Sequence, residues 1–93
     1  MAKKYLKKGA NYISAGSDCL TDEAKKIILS DKEFNDGIHS DCVTNDCMNR
    51  LAKQLGFFED NTDYAEFQQE LAVIARKETG GDWFVSEGLI LLD

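Results

Sequence analysis

Residues 63–92 read DYAEFQQELAVIARKETGGDWFVSEGLILL, and a change of hydrophobic period inside this stretch decides the fold class. Its first half sets Tyr64, Phe67, Leu71, Ile74 and Ala75 on one stripe of a 3.6-residue repeat, which predicts an amphipathic helix from about Asp63 to Glu78. Gly80-Gly81 breaks that repeat. Asp82 to Val85 and Leu89 to Leu92 follow as two strand-like runs around Ser86-Glu87-Gly88, the pattern of a β-hairpin with a three-residue loop. Leu89 to Leu92 is apolar on both faces, so it is either a central strand covered by helices or an edge that a partner covers.

Toward the N-terminus the helical period returns. Val43, Cys47, Met48, Leu51, Ala52 and Leu55 define a helix with one wet face, stopped by Gly56 in the left-handed position that ends many helices. Phe57 stands where an apolar residue folds back on the last turn. Asn61 or Thr62 caps the helix that follows. Leu20, Ala24, Ile27 and Ile28 share another buried stripe, with Thr21 as cap and Asp22 and Glu23 in the first turn, where the helix dipole favours anions. Ser30-Asp31-Lys32-Glu33 has capping-box spacing, and Gly37 is expected to stop that short turn. Residues 3–15 fit two short strands around a turn, one frayed strand, or a helical turn.

The elements add up to one α+β domain spanning residues 1–93, with a short basic lead over 1–9. Three or four helices pack on a small, mainly antiparallel sheet formed by the chain ends. Ninety-three residues leave no room for a second core. The longest apolar run is five residues, against roughly 20 needed to span a bilayer. The start, Met1-Ala2-Lys3-Lys4-Tyr5, carries no secretory h-region, and three cysteines cannot all pair in one molecule. Reduced thiols and a cytoplasmic setting, in a bacterial or infected bacterial cell, are the expectation.

Charge is segregated along the chain. Lys3, Lys4, Lys7 and Lys8 hold four of the eleven bases, and the 85 residues beyond them carry seven bases against all 17 carboxylates, a formal charge of −10. Such a body repels nucleic acid and attracts basic protein surfaces. Glu59, Asp60, Asp63, Glu66 and Glu70 form its densest acidic run, and on a helix their spacing imitates a row of phosphates. Trp83 and Phe84, with Phe57 and Phe58, are the expected apolar anchors beside it.

Catalytic signatures are missing. Gly80-Gly81 follows a helix rather than opening one, so it is no phosphate loop, and Asp31-Lys32-Glu33 fails the calcium-loop template. His39, Cys42 and Cys47 make H-x2-C-x4-C, with Cys19 as a distant fourth ligand for tetrahedral zinc, although the second gap exceeds the usual spacing. Cys42 with the sole histidine, His39, is the one thiol–base pair the chain offers.

In size, charge and lack of catalytic equipment the chain is similar in outline to phage-encoded inhibitors of host defence, the anti-restriction and anti-CRISPR proteins. No motif carries that likeness. It implies a non-enzymatic inhibitor, without cofactor, that blocks a basic nucleic-acid-processing protein through Glu59, Asp60, Asp63, Glu66, Glu70, Trp83 and Phe84. Nucleic acid and membranes are not expected to bind directly, and pairing of the terminal strand with a second copy stays open. The alternative is a small structural or regulatory module held by Cys19, His39, Cys42 and Cys47 through zinc or thiol redox.

Overall fold

The computed structural model describes residues 4–10, 13, 18–40, 42–57 and 61–93, with backbone alone at 61–63. Four helices occur among them: α1 (Asp22–Ser30), α2 (Lys32–Ile38), α3 (Asn45–Leu55) and α4 (Asn61–Thr79). Three strands, β1 (Cys42–Val43), β2 (Trp83–Ser86) and β3 (Leu89–Leu92), form an antiparallel sheet in the order β1-β3-β2. The α+β class follows directly. Leu89 to Leu92 takes the central place in the sheet, with Ile90 in the core and Leu89 and Leu91 half-buried on the other face.

The hairpin supplies two strands and mid-chain residues 42–43 supply the third. The chain start closes on the body separately: Leu6 bridges Leu20, Lys7 N donates to Cys19 O at 2.8 Å, and Thr21 N donates to Tyr5 O at 2.9 Å. Of the elements expected over residues 3–15, this bridge is what the described residues contain. Tyr12 and residues 14–15 lie outside them.

Capping sets the helix boundaries. Thr21 Oγ1 accepts from Ala24 N, and Thr44 Oγ1 accepts from Cys47 N. Thr44 therefore starts α3 two residues later than the periodicity suggests, which frees Cys42 and Val43 to extend as β1. The expected capping box at Ser30 is corrected by one residue: Asp31 Oδ2 accepts from Phe34 N at 3.0 Å, while Ser30 still belongs to α1. A carboxylate caps as well as a hydroxyl, and Asp31 also finds a cation there. Gly37 does not stop α2, which runs on to Ile38 with His39 as its C-cap. Its lack of a side chain serves packing, because a Cβ would lie 2.7 Å from Cys42 O.

Gly56 (φ 84°) ends α3 as expected, and Phe57 folds back with its N–H on Ala52 O. Fully buried, Phe57 stacks against Phe67 of α4 at 5.4 Å between ring centroids. α4 starts at Asn61, so the expected caps at Asn61 and Thr62 lie inside the helix. The hairpin loop has two residues rather than three: Ser86 pairs with Leu89, and Glu87 and Gly88 both take positive φ, the type I′ geometry that matches strand twist.

The core lies between the helices and one face of the sheet. Trp83, Ile90 and Val43 enter it with Phe34, Met48, Leu51, Phe67 and Leu71. Trp83 Nε1 donates to Thr79 Oγ1 at 2.8 Å, the hydroxyl donates to Ala75 O at 2.9 Å, and it accepts from Gly81 N at 3.1 Å. One threonine thus joins the end of α4 to the first residue of β2.

Candidate functional site

Strand alternation determines what the sheet offers outward. Register pairs Cys42 with Leu91 and Leu91 with Phe84, so these three form one row across all three strands, on the face opposite Trp83, Ile90 and Val43. Ser86 and Leu89 stand next to that row. Phe84 is 40% exposed, while Cys42, Leu89 and Leu91 are half-buried. Antiparallel sheets with one free face normally turn polar residues outward. This one turns out Phe84 and leucines.

At the end of the sheet, Trp83, Phe84, Arg76, Asp82 and Asp93 line a shallow groove of about 360 Å³. Asp93 N donates to Asp82 O at 3.1 Å, extending the ladder and placing the two exposed carboxylate residues side by side. Glu87 lies at the opposite end, in the turn. Arg76 Nε donates to Trp83 O at 2.7 Å and is the groove's one cation. The composition is an aromatic ring with a carboxylate frame.

The expected acidic stripe is not one exposed row. Glu70 is only 4% exposed and faces Cys19, whose Sγ lies 3.7 Å from its Oε1. Burial pushes its pKa up, opposed by the hydrogen bond from the thiol. Residue 70 falls on the side of α4 that faces Cys19, so the helix turns one of its acids inward. Glu66 is half-buried, Glu59 and Asp60 lie outside the described residues, and so does the side chain of Asp63. The expected anchors are also redistributed: Trp83 (2% exposed) and Phe57 belong to the core, Phe58 is outside the described residues, and Phe84 remains on the surface. Sequence spacing could not separate Trp83 from Phe84, since alternation gives one of them to each face and either assignment satisfies the pattern.

The zinc set is not assembled. Cys47 points from α3 toward Asp31, Cys19 lies against Glu70, and His39 Nδ1 meets Asn35 O at 2.8 Å at the exposed end of α2. Among the described residues, the group whose ligand atoms converge is Asp31, Glu33 and Cys47. Arg50 already occupies it, with Nη2 at 2.7 Å from Asp31 Oδ2 and 3.0 Å from Glu33 Oε1. Burial and the two carboxylates push the Cys47 thiol up to about 12, so it stays protonated. All three cysteines are free.

A second concavity, about 130 Å³, lies between α1 and α4 with Leu20, Leu29, Val73, Ile74 and Glu70 in its wall. Its volume is well below the roughly 300 Å³ at the small end of ligand sites. No helix among the described residues is long and apolar enough to cross a membrane. Comparison with protein-family models, with characterised proteins and with solved structures gave no match.

Proposed function

We propose that this chain is a non-enzymatic, acidic binding protein that docks through its C-terminal hairpin onto a positively charged partner. The partner is a nucleic-acid-processing protein whose groove it blocks, in the manner of anti-restriction and anti-CRISPR inhibitors, and the setting is the cytoplasm of a bacterial or infected bacterial cell. One observation carries the reading: Phe84 stands exposed on an apolar sheet face, framed by Asp82, Asp93 and Glu87, none of which forms a salt bridge among the described residues.

The net charge of −6 supports the same partner chemistry. Cations that would neutralise it are partly committed elsewhere: Lys7 and Lys25 to Asp18, Lys32 to Asp36, Arg50 to Asp31 and Glu33. Of the two docking modes open to such a protein, burial of Glu70 favours an aromatic anchor with acids steering the encounter over mimicry of a phosphate row.

The test is affinity capture from bacterial lysate with a salt step, repeated with D82K/E87K/D93K, and duplex DNA as competitor. The captured protein should be basic, released by DNA and by salt, and lost with the charge-reversed variant. Equal retention by that variant removes the proposal.

A further inference from the structure

We infer that the partner binds by strand addition: an extended segment with basic residues at its ends pairs with the open edge of β2. The inference rests on the acidic-docking reading above and names its mode. In the sheet order β1-β3-β2 no described segment lies beyond β2. The Asp93–Asp82 hydrogen bond and the Ser86–Leu89 turn pair fix which residues bond inward: Asp82, Phe84 and Ser86 face β3, so Trp83 and Val85 turn their main-chain groups to the edge. The structure confirms that direction at one atom, since Trp83 O already accepts Arg76 Nε from outside the sheet. The Trp83 N–H, the Val85 N–H and the Val85 carbonyl stand ready for a further strand.

Apart from Arg76 on the Trp83 carbonyl, this edge also lacks the usual protections. Natural sheets guard an edge with lysine, proline, a bulge or an inward charge. Trp83-Phe84-Val85-Ser86 has none of these and pairs with β3 without a bulge. An added strand would extend the outer row Cys42–Leu91–Phe84 by one side chain against the exposed ring of Phe84. Charge selects the occupant: Asp82 and Asp93 flank one end of the edge and Glu87 the other, so lysine or arginine at both ends of the added segment is matched. A second copy of this chain would bring a net charge of −6 and its own Asp82 and Glu87 to the same place.

The probe is a capped peptide alternating valine and threonine with a lysine at each end, compared with its glutamate-ended counterpart. With the full chain, amide hydrogen exchange should slow at Trp83 and Val85 with the lysine peptide and stay unchanged with the other. Val85→Pro removes one outward donor and leaves the β2–β3 ladder intact, because proline is tolerated on edges. It should weaken peptide binding at least about tenfold, read as a shift in Kd. If V85P binds as wild type while D82K/E87K/D93K does not, charge-driven docking stands and strand addition is overturned. If neither variant changes binding, or no binding occurs at about 1 mM peptide, both readings fall. Sedimentation showing a wild-type dimer that V85P abolishes would assign the edge to self-pairing and overturn the basic occupant.

Discussion

Thr79→Val tests the joint between α4 and the sheet. The substitution keeps shape and β-branching, so helix propensity is nearly unchanged, and only the hydroxyl is lost. Three hydrogen bonds end at that oxygen, but their costs differ. Gly81 N is near solvent and recovers water, and Ala75 O keeps its backbone partner within α4. Trp83 Nε1 has no such recourse, because its residue is 2% exposed. A buried donor left unpaired costs about 1–3 kcal/mol, so about 2 kcal/mol is expected. For a domain of this size that lowers Tm by about 8–16 °C. Trp83 is the only tryptophan, so its fluorescence in a denaturant titration reports this site and global unfolding together. The midpoint should fall with little change in slope, and T79S, which keeps the hydroxyl, should lie near wild type. If T79V stays within about 0.5 kcal/mol of wild type, or T79S is as unstable as T79V, the joint does not hold the hairpin.

Two further outcomes follow from buried groups. Burial raises the pKa of Glu70 above its ordinary 4.5, so the folded state holds that proton more tightly than the unfolded chain. Its contribution is fully present below the unfolded pKa and is lost as pH rises through the raised folded one, so E70Q should gain stability relative to wild type near pH 8 and little near pH 4, in paired thermal melts. A loss at both pH values would contradict a desolvated carboxylate. Titration of the native protein with an aromatic disulfide should modify Cys42 first, because Cys19 and Cys47 are buried, and all three only after unfolding. Fast native labelling of Cys47, or protection of all three thiols reversed by a chelator, would reinstate the metal or redox module.

Periodicity made the helices legible because each buried stripe is long enough to be unambiguous: Phe67, Leu71, Ile74 and Ala75 on α4, and Cys47, Met48, Leu51, Ala52 and Leu55 on α3, all buried as read. Gly56 and Thr21 were equally legible, since their roles are local. The misreadings arose where a residue answers to a distant neighbour. Gly37 has the composition of a helix stop, yet the carbonyl of Cys42 across the chain reversal is what requires it to lack a side chain. Glu70 has the spacing of a surface acid, and only the passage of the segment before α1 across α4 buries it against Cys19. The four-residue strands of the hairpin offer too few alternations to show which aromatic faces out. Glu87 concealed the true loop length, because a glutamate with φ 51° is not the residue that marks a type I′ turn in sequence.

Asp31 receives the last turn of one helix with its N–H, on Ile28 O, and opens the next with its carboxylate, on Phe34 N. Asp31 is the single residue between α1 and α2, and the same carboxylate is moored to Arg50 on α3. Arg50, foremost, and Phe34 N hold its pKa below the ordinary value, so this stabilisation is present above the unfolded pKa and disappears as acid titrates the group. One proton there would loosen a mooring and a cap in the same event. Residues 22–38 should therefore behave in acid as a single hinged flap, and neither helix should fray without the other.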